Sequence, residues 1–424
     1  MNRLTTPWGA FDLARFPEDP RDRLRAWDAA DEYLLRHLHG TDDSPPVALT
    51  GTVAVLGDRW GGLSVPLAAH HPVVQISDSH LGQRATLANL DRAGLPSGSV
   101  TLLTVRDAPP ERIDVLLVRV PKSLALLEDQ LRRLAPALHA GSVVAGTGMV
   151  SEIHTSTLKL FERLVGPTRT SLAVRKARLI HTAPDPSLPR TPGPWPLRYA
   201  LPDGIGPVSG RTVTNHAGIF CADRLDIGTR FFLGHLPERK GPDEVVDLGC
   251  GNGVVGTAAA LANPGSRVTF VDESFSALAS AEATFRDNVP DGRAAFAAGD
   301  ALSALPDASA DLVLSNPPFH SHRATTDTTA RRMFADARRV LRPGGELWVV
   351  GNRHLGYHIR LRRLFGNCEV VAGDPKFVVL RAVRGEGAAP RSEGTGRAQP
   401  EPAARRAGAA RPRGGRRPQR PRGA

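Results

Sequence analysis

The chain has 424 residues, of which 41% are hydrophobic, and this is enough for two globular domains with tails. It lacks any apolar run near the ~20 residues of a transmembrane helix, and its N-terminus lacks the apolar core of a secretory signal, so we expect a cytoplasmic protein with no membrane partner. Cys221, Cys250 and Cys368 follow no metal-ligand spacing, which argues against a disulfide framework and leaves no metal site to predict.

The net charge of +11 is concentrated at the C-terminus. Residues 385–424 hold ten Arg and three Glu, so the rest of the chain carries only about +4. Because this tail has almost no large apolar residues, we predict that it is disordered. An Arg-rich arm suits nucleic acid, since each neutralised phosphate releases counterions. A tail that only improves solubility is the alternative.

In the first half, apolar runs predict strands at 53–57, 73–78 and 114–121. A helical pattern follows at 124–138, and another apolar run lies at 141–145. Strands that alternate with helices predict an α/β fold with a parallel sheet and helices on both faces. Such sheets bind ligands beyond the carboxyl ends of their strands.

A second series repeats this order, with strands at 245–249, 268–272, 311–318 and 345–350 and a helix around 331–341. The offset between matched points is 192 from Gly57 to Gly249, 194 from Asp78 to Asp272, and 197 from Pro121 to Pro318. Near-constant offsets predict two tandem domains that arose by duplication. Chance similarity between two α/β domains is the alternative.

A Pro-rich stretch separates the two series and reads as a linker. The predicted organisation is a first domain at 1–182, a linker at 183–209, a second domain at 210–384 and a tail at 385–424.

Residues 247–253 read D-L-G-C-G-N-G and lie between a strand and a helical pattern. Gly249, Gly251 and Gly253 would let the backbone turn sharply and approach a ligand. An acidic residue before the first glycine would repel a pyrophosphate, whereas it suits a cationic ligand. Asp247 therefore favours S-adenosylmethionine over a dinucleotide, and a helix start without any ligand is the alternative.

Two further acidic residues end strands of the second series. Asp272 follows the second strand, where a carboxylate can accept both ribose hydroxyls of a nucleotide ligand. Asp300 follows a third strand and could accept from an adenine amino group. The alternative for each is a helix N-cap.

The loop after the strand at 311–314 reads S-N-P-P-F-H. Pro317 and Pro318 fix the backbone and remove two donors, so nearby carbonyls stay rigid and unpaired. Asn316 adds a side-chain acceptor and Phe319 a flat apolar face. Fixed acceptors beside a stacking ring suit a planar group that carries an NH2. His320 and His322 could accept a proton, or could simply face solvent.

Together the glycine loop, the acidic strand ends and the Asn-Pro-Pro-Phe loop resemble class I S-adenosylmethionine-dependent methyltransferases. More narrowly, the second half resembles the ribosomal RNA guanine-N2 methyltransferases. The segments that carry this likeness lie at 218–230 and 316–320. Similarity to the members that act on the large-subunit (23S) RNA lies at 25–34, 351–355, 365–368 and 376–379.

The resemblance implies two tandem Rossmann-like class I methyltransferase domains, of which only the second is active. It implies methylation of a guanine N2 in ribosomal RNA, with 23S RNA favoured. The catalytic candidates are Asn316, Pro317, Pro318 and Phe319, and the cofactor-binding candidates are Asp247, Gly249, Gly251, Gly253, Asp272, Asp300 and Asn316.

The first half is degenerate at the matching positions. It has Val55 where Asp247 stands, and 119–122 reads R-V-P-K in place of N-P-P-F. Cations in place of acceptors cannot align an amine, so we expect this half to bind RNA phosphates. The candidates are Arg119, Lys122, Arg132, Arg133, Arg175, Lys176 and Arg178. Ordinary solvated surface charges are the alternative.

Three other functions stay open. The target could be a guanine of the small-subunit (16S) RNA. It could also be a glutamine amide of a protein, although enzymes of that kind usually carry Tyr where this chain has Phe319. A ribosome assembly factor that binds RNA without catalysis is the third, and the intact glycine loop speaks against it.

Overall fold

The structure is a computed structural model that describes residues 3–19, 22–40, 45–318 and 323–386, with backbone alone for 323–327. Phe319, His320 and His322 lie outside the described residues, as does the tail from 387 on. Their proposed roles and the disorder of the tail stay predictions.

The first half contains alternating strands and helices after an N-terminal hairpin. In chain order they are β1 (Arg3–Thr6), β2 (Gly9–Asp12), α1 (Ala29–His39), β3 (Val53–Leu56), α2 (Ser64–Ala68), β4 (Val73–Ser77), α3 (His80–Arg92), β5 (Val100–Thr104), β6 (Ile113–Arg119), α4 (Leu124–Leu134), β7 (Leu138–Met149), α5 (Thr155–Leu164), β8 (Thr168–Thr170) and β9 (Ala177–Thr182). Short 3₁₀ turns lie at Ser97–Ser99 and Ala135–Ala137.

The second half repeats the pattern. Its elements are β10 (Leu197–Ala200), β11 (Thr212–Asn215), α6 (Ile227–Leu233), β12 (Glu244–Leu248), α7 (Val254–Ala262), β13 (Arg267–Asp272), α8 (Phe275–Asn288), β14 (Arg293–Ala298), β15 (Ala310–Ser315), α9 (Arg323–Val340), β16 (Leu341–Asn352), α10 (Tyr357–Phe365), β17 (Glu369–Gly373) and β18 (Phe377–Val383). Further 3₁₀ turns lie at Gly206–Val208 and Arg353–Leu355.

The two halves form seven-stranded sheets of the same topology. The orders are β5-β4-β3-β6-β7-β9-β8 and β14-β13-β12-β15-β16-β18-β17. The first five strands of each order are parallel, whereas the last two pair antiparallel. The predicted α/β fold with tandem Rossmann-like domains is confirmed. The prediction of parallel sheets was wrong for the last two strands of each sheet. There the hairpins β8–β9 and β17–β18 form the edge, and a hairpin pairs antiparallel without a crossover helix.

Each face of the second sheet buries its own apolar cluster. Successive residues of β12 alternate between them, with Val245 on the side of Phe270 and Val246 on the side of Val313. Both faces are therefore covered, which leaves the strand ends as the place for polar side chains. None of the described helices combines the length and apolarity that crossing a bilayer requires.

The Pro-rich stretch is only partly a linker. Leu201, Ile205 and Val208 are buried in the same cluster as Phe270, and β10 pairs with β11. The linker predicted for 183–209 was therefore drawn too long, because its C-terminal part packs into the core of the second domain.

The cap positions correct one match between the halves. Ser79 and Ser274 each cap the helix that follows the second strand of their domain. Asp272 and Ser77 each lie two residues before these serines, so they are the equivalent positions. The match of Asp272 with Asp78, which the sequence offsets had suggested, was wrong by one residue.

Candidate active site

A cavity of about 600 Å³ lies at the carboxyl edge of the second sheet. This volume is typical of pockets for small ligands, which measure roughly 300–1,000 Å³. The ends of β12, β13 and β15 contribute to its wall. Of the predicted site residues it brings together Asp247, Gly249, Gly251, Asp272, Asn316, Pro317 and Pro318.

The glycine loop follows β12 with left-handed backbone. Gly249 has φ +72 and Gly251 has φ +54, a region that residues with a side chain rarely adopt. A Cβ on Gly251 would meet nothing within 4 Å, so this part of the loop leaves open space. At Gly253, by contrast, a Cβ would lie 2.7 Å from the Cα of Ala281. Gly253 serves the packing of α7 on α8 and does not line the cavity, so its assignment to cofactor binding is withdrawn.

Asp247 is 2% exposed and lines the cavity from within β12. It accepts a hydrogen bond from the backbone N–H of Gly256, 2.8 Å away, in the first turn of α7. Burial raises its pKa to about 8. A cation placed beside it would favour the charged form, so the site suits a ligand that carries an ammonium group.

Asp272 ties the glycine loop to the end of β13. Its two oxygens accept from the N–H groups of Gly251 and Ser274, both at 3.0 Å. Burial raises its pKa in spite of these bonds. The carboxylate is therefore held at a fixed place in the cavity wall.

Asp300 is not part of the described cavity wall, although its neighbours Gly299 and Ala301 are. Its carboxylate forms an ion pair with Arg332 of α9 at 2.9 Å. Because this ion pair uses one oxygen of the carboxylate, the bond from Asp300 to an adenine amino group stays a prediction.

Asn316 follows β15 and is anchored through its amide nitrogen. Its Nδ2 donates to Thr229 Oγ1 at 2.9 Å, and that hydroxyl donates in turn to Asp226 at 3.2 Å. Because the hydroxyl hydrogen is already used, Thr229 must accept from Asn316, which fixes the orientation of the amide. Asn316 Oδ1 is buried, and within the described part of the chain no donor reaches it. The site thus holds one fixed, unused acceptor.

Thr229 was not among the predicted site residues. It lies in the first turn of α6, where its N–H donates to the N-cap Asp226 at 2.9 Å. An N-cap Asp with Thr three residues later marks the start of a helix in sequence, but nothing local shows that this helix meets Asn316.

The first domain holds an ion-pair cluster at the matching position. Arg119 ends β6 as Asn316 follows β15, yet it is 1% exposed. It pairs with Asp28 at 2.6 Å, Glu152 at 2.8 Å and Asp31 at 3.3 Å. Burial alone would lower the pKa of Arg119, but the three carboxylates outweigh it and the pKa is raised. The prediction that Arg119 contacts RNA was wrong, because its charge is neutralised inside the domain.

The other six cations lie nearer the surface. Arg132 is half-buried and bonded to Glu128 and Thr191, and Arg133 donates to a backbone carbonyl. Arg178 is half-buried as well. Lys122, Arg175 and Lys176 are exposed, and Arg175 forms an ion pair with Glu32 at 3.0 Å.

Arg175 and Lys176 form the tip of a hairpin. Val174 and Ala177 exchange both backbone hydrogen bonds, and the two residues between them have φ +48 and +63. Such a two-residue turn favours Asn and Gly. Arg and Lys in left-handed conformation cost energy there, so the hairpin presents two cations at some expense of stability.

Comparisons with known proteins cover both domains. Residues 1–186 match the RLMG N-terminal domain, and residues 210–381 match the methyltransferase small domain. The chain is similar to a 16S rRNA N2 G1207 methyltransferase of T. thermophilus solved with AdoMet and guanosine, at 22% identity and a TM-score of 0.70. That likeness covers 90% of this chain and 97% of the other, and it shows the fold.

Relatives of higher identity carry one name, ribosomal RNA large subunit methyltransferase G. The protein of Streptomyces avermitilis is 70% identical, over 90% of this chain and 99% of its own. That of Stutzerimonas stutzeri is 46% identical, over 91% of this chain and all of its own. With identity this high over nearly whole chains, the protein belongs to the ribosomal RNA large subunit methyltransferase G family.

Proposed function

We propose that this protein transfers a methyl group from S-adenosylmethionine to the exocyclic N2 amine of a guanine in large-subunit (23S) ribosomal RNA. The observation that carries the proposal is the buried acceptor Asn316 Oδ1, fixed at the cavity without a donor among the described residues. A buried acceptor without a partner costs about 1–3 kcal/mol, so it suits a site where the substrate supplies the missing N–H.

The cavity fits the cofactor by the acceptors that it offers. Asp247 offers a buried carboxylate for the ammonium group, and Asp272 would accept from the ribose hydroxyls. The open space beside Gly251 would admit the chain between them. When bound, S-adenosylmethionine supplies a methyl group that its sulfonium has already activated.

The residues of this chain would act on the amine. A guanine N2 is a poor nucleophile, because its lone pair is delocalised into the ring. Asn316 Oδ1 and the Pro317 carbonyl would accept its two N–H bonds, which localises the lone pair and orients it. Phe319 would stack on the base, a contact worth about 1–3 kcal/mol. The proton can leave after transfer, so the chemistry needs no strong general base.

The names of the relatives support the large subunit as the source of the substrate RNA, since the Streptomyces avermitilis and Stutzerimonas stutzeri proteins both carry that name. The target base must leave its paired or stacked context to reach Asn316. The exposed cations of the first domain, chiefly Arg175 and Lys176, would hold neighbouring phosphates.

Mass-spectrometric mapping of methylated guanosines in both ribosomal RNAs tests the proposal, with cells that contain or lack the protein. We expect one N2-methylguanosine of 23S RNA to disappear with the protein. Loss of a 16S site would transfer the proposal to the small subunit. Unchanged RNA together with loss of a methylated glutamine would replace it by protein methylation.

Variants of the acceptor and its anchor test the mechanism. Asn316→Ala should lower kcat by about 10²–10³-fold, by analogy with the loss of one preorganised hydrogen bond in other active sites. Thr229→Val should cost about tenfold, because the amide loses its anchor, whereas Thr229→Ser retains the hydroxyl and serves as the matched control. If Asn316→Ala methylates at close to the normal rate, the alignment of the amine by this residue is wrong.

A further inference from the structure

Part of the wall of the candidate cofactor cavity comes from the first domain. Asp78 and Leu81, at the start of α3, line the same cavity as Asp272 and Ser274 of the second domain. The site is therefore not confined to the domain that carries the glycine loop.

Asp78 binds the first turn of α8 in the second domain. Its Oδ2 accepts from Ser274 Oγ at 2.7 Å, and its Oδ1 accepts from the Ser276 N–H at 2.8 Å. Its backbone carbonyl accepts from the Phe275 N–H at 3.0 Å. A carboxylate at the start of a helix satisfies free N–H groups and complements the helix dipole. Asp78 thus caps a helix that belongs to the other domain.

The contact is reciprocal, as expected where two similar domains meet. Ser79 Oγ donates to Glu273 at 2.6 Å, and the His80 N–H donates to the Glu273 carbonyl at 2.8 Å. Ser79 and Ser274, which occupy equivalent cap positions, form a backbone bridge between the domains. On the side of the second domain, this contact borders the glycine loop and the cavity described above.

One chain of hydrogen bonds links Asp78 to the residue assigned to the cofactor ribose. Asp78 fixes Ser274, and the N–H of Ser274 donates to Asp272 at 3.0 Å. The other oxygen of Asp272 is held by Gly251 of the glycine loop. The position of Asp272 therefore depends on a residue of the first domain.

We infer that the first domain completes the cofactor site. Asp78 is a positioning residue that acts through Ser274 on Asp272, and Leu81 adds apolar wall to the cavity that the cofactor would occupy. The inference rests on the proposed function, since it takes S-adenosylmethionine as the ligand. It also implies that the first domain is needed for cofactor binding, in addition to any role in binding RNA.

The test is the dissociation constant of the full-length protein for S-adenosylhomocysteine, measured by titration calorimetry. Asp78→Ala should weaken binding about tenfold, because the strand-end carboxylate loses its support. Asp78→Asn should lie between Ala and the unchanged protein, because it retains an oxygen for the Ser276 N–H. Leu81→Ala should weaken binding about threefold to tenfold. Asp91→Ala, an exposed carboxylate on the same helix, is the matched control and should leave the constant unchanged.

A contact that only holds the domains together would lower the unfolding temperature of Asp78→Ala and leave its affinity, once folded, within twofold. That result overturns the inference, as does an unchanged constant in Leu81→Ala. If Asp78→Ala fails to fold, Asp78→Asn and Leu81→Ala decide the question. Failure of the unmodified protein to bind S-adenosylhomocysteine would contradict the proposed function instead.

A double-mutant cycle checks the route of the effect. If Asp78 acts through Ser274, the variant that combines Asp78→Ala with Ser274→Ala should bind about as weakly as the weaker single variant. Fully additive losses would show that the two residues act independently, and would reject Asp78 as a positioning residue for Asp272.

Discussion

The two domains place different chemistry at the same point of the same sheet. In the second domain Asn316 meets Thr229 of α6, and its remaining oxygen is buried with no described partner. In the first domain Arg119 meets Asp31 of α1, and further carboxylates use the rest of its charge. Asn316 thus keeps an acceptor without a described partner, whereas the charge of Arg119 is balanced by carboxylates of its own domain.

The glycine turns of the two domains differ in the same way. In the second domain the turn leaves open space beside Gly251. In the first domain Arg59, within the corresponding turn, bridges Glu152 at 2.6 Å and Asp28 at 3.4 Å. The cluster around Arg119 therefore extends into the place where a cofactor would approach the loop.

The largest expected effect comes from giving the active site the residue of the inactive one. Asn316→Arg should abolish methylation, with a loss of at least about 10³-fold, because a guanidinium only donates and cannot accept from an amine. The measurement is incorporation of labelled methyl into ribosomal RNA that lacks the modification.

The double variant Asn316→Arg with Thr229→Asp is the folding control. It rebuilds the pairing of Arg119 with Asp31, so its unfolding temperature should exceed that of the single variant while activity stays absent. Activity above a tenth of normal in the double variant would refute the comparison of the two sites.

The next largest effect should come from breaking the ion-pair cluster around Arg119 in the first domain. Arg119→Met should lower the free energy of unfolding by about 3–5 kcal/mol at pH 7, because three carboxylates lose their cation. Arg163→Met removes a more exposed ion pair with Glu128 and should cost less than about 1 kcal/mol. Chemical denaturation measures both. Similar losses of unfolding free energy in the two variants would show that the buried cluster stabilises the protein no more than an exposed ion pair does.

The free energy of unfolding that Arg119→Met loses should depend on pH in a direction that Glu152 sets. Burial opposes ionisation of Glu152, but Arg119 and Arg59 outweigh it and lower its pKa to about 2. This stabilisation is present above the ordinary pKa of a glutamate and is lost as the pH falls towards 2. The deficit of Arg119→Met should therefore change little from pH 7 to about pH 5, and shrink as the pH falls from about 5 towards 2.

Local patterns in the sequence were enough for the scaffold and for half of the site. Apolar runs located most of the parallel strands, although β5 was missed, and the glycine loop and the prolines after β15 marked the strand ends that border the cavity. These features are encoded within a few residues of chain, where period, turn chemistry and strand length act directly.

The partners of the site residues could not be predicted in this way. Asn316 and Thr229 are 87 residues apart, Arg119 and Asp28 are 91 apart, and Asp78 and Ser274 are 196 apart. No local pattern distinguishes an arginine that faces RNA from one that is buried against three carboxylates. The distinction depends on where α1 packs, which is a property of the whole domain.

The raised pKa of Asp247 predicts how cofactor affinity changes with pH. With its folded pKa near 8, this carboxyl is largely protonated at pH 6, and an incoming ammonium group must displace the proton. Affinity for S-adenosylhomocysteine should therefore rise from pH 6 to pH 8, by at most about tenfold per pH unit. Calorimetry in buffers of different ionisation enthalpy should detect proton release at pH 7.

Asp247→Asn is the control for this dependence. Its amide cannot titrate, so its affinity should be weaker and nearly flat across the same range. A flat profile in the unmodified protein would mean that Asp247 is already ionised, or that the ammonium group binds elsewhere.

The smallest expected effect comes from the hairpin tip formed by Arg175 and Lys176, to which we assign no part in catalysis. Because Arg175 and Lys176 hold left-handed backbone, replacing them by Asn and Gly should raise the free energy of unfolding by about 1 kcal/mol. The same change should weaken RNA binding several-fold and reduce the slope of log affinity against log salt by about 0.7–0.9 per lost phosphate contact. Affinity for S-adenosylhomocysteine should not change. A variant that gains stability and binds RNA as before would show that the strain serves no contact with RNA, and Lys122→Ala would then be the next candidate on the exposed surface of this domain.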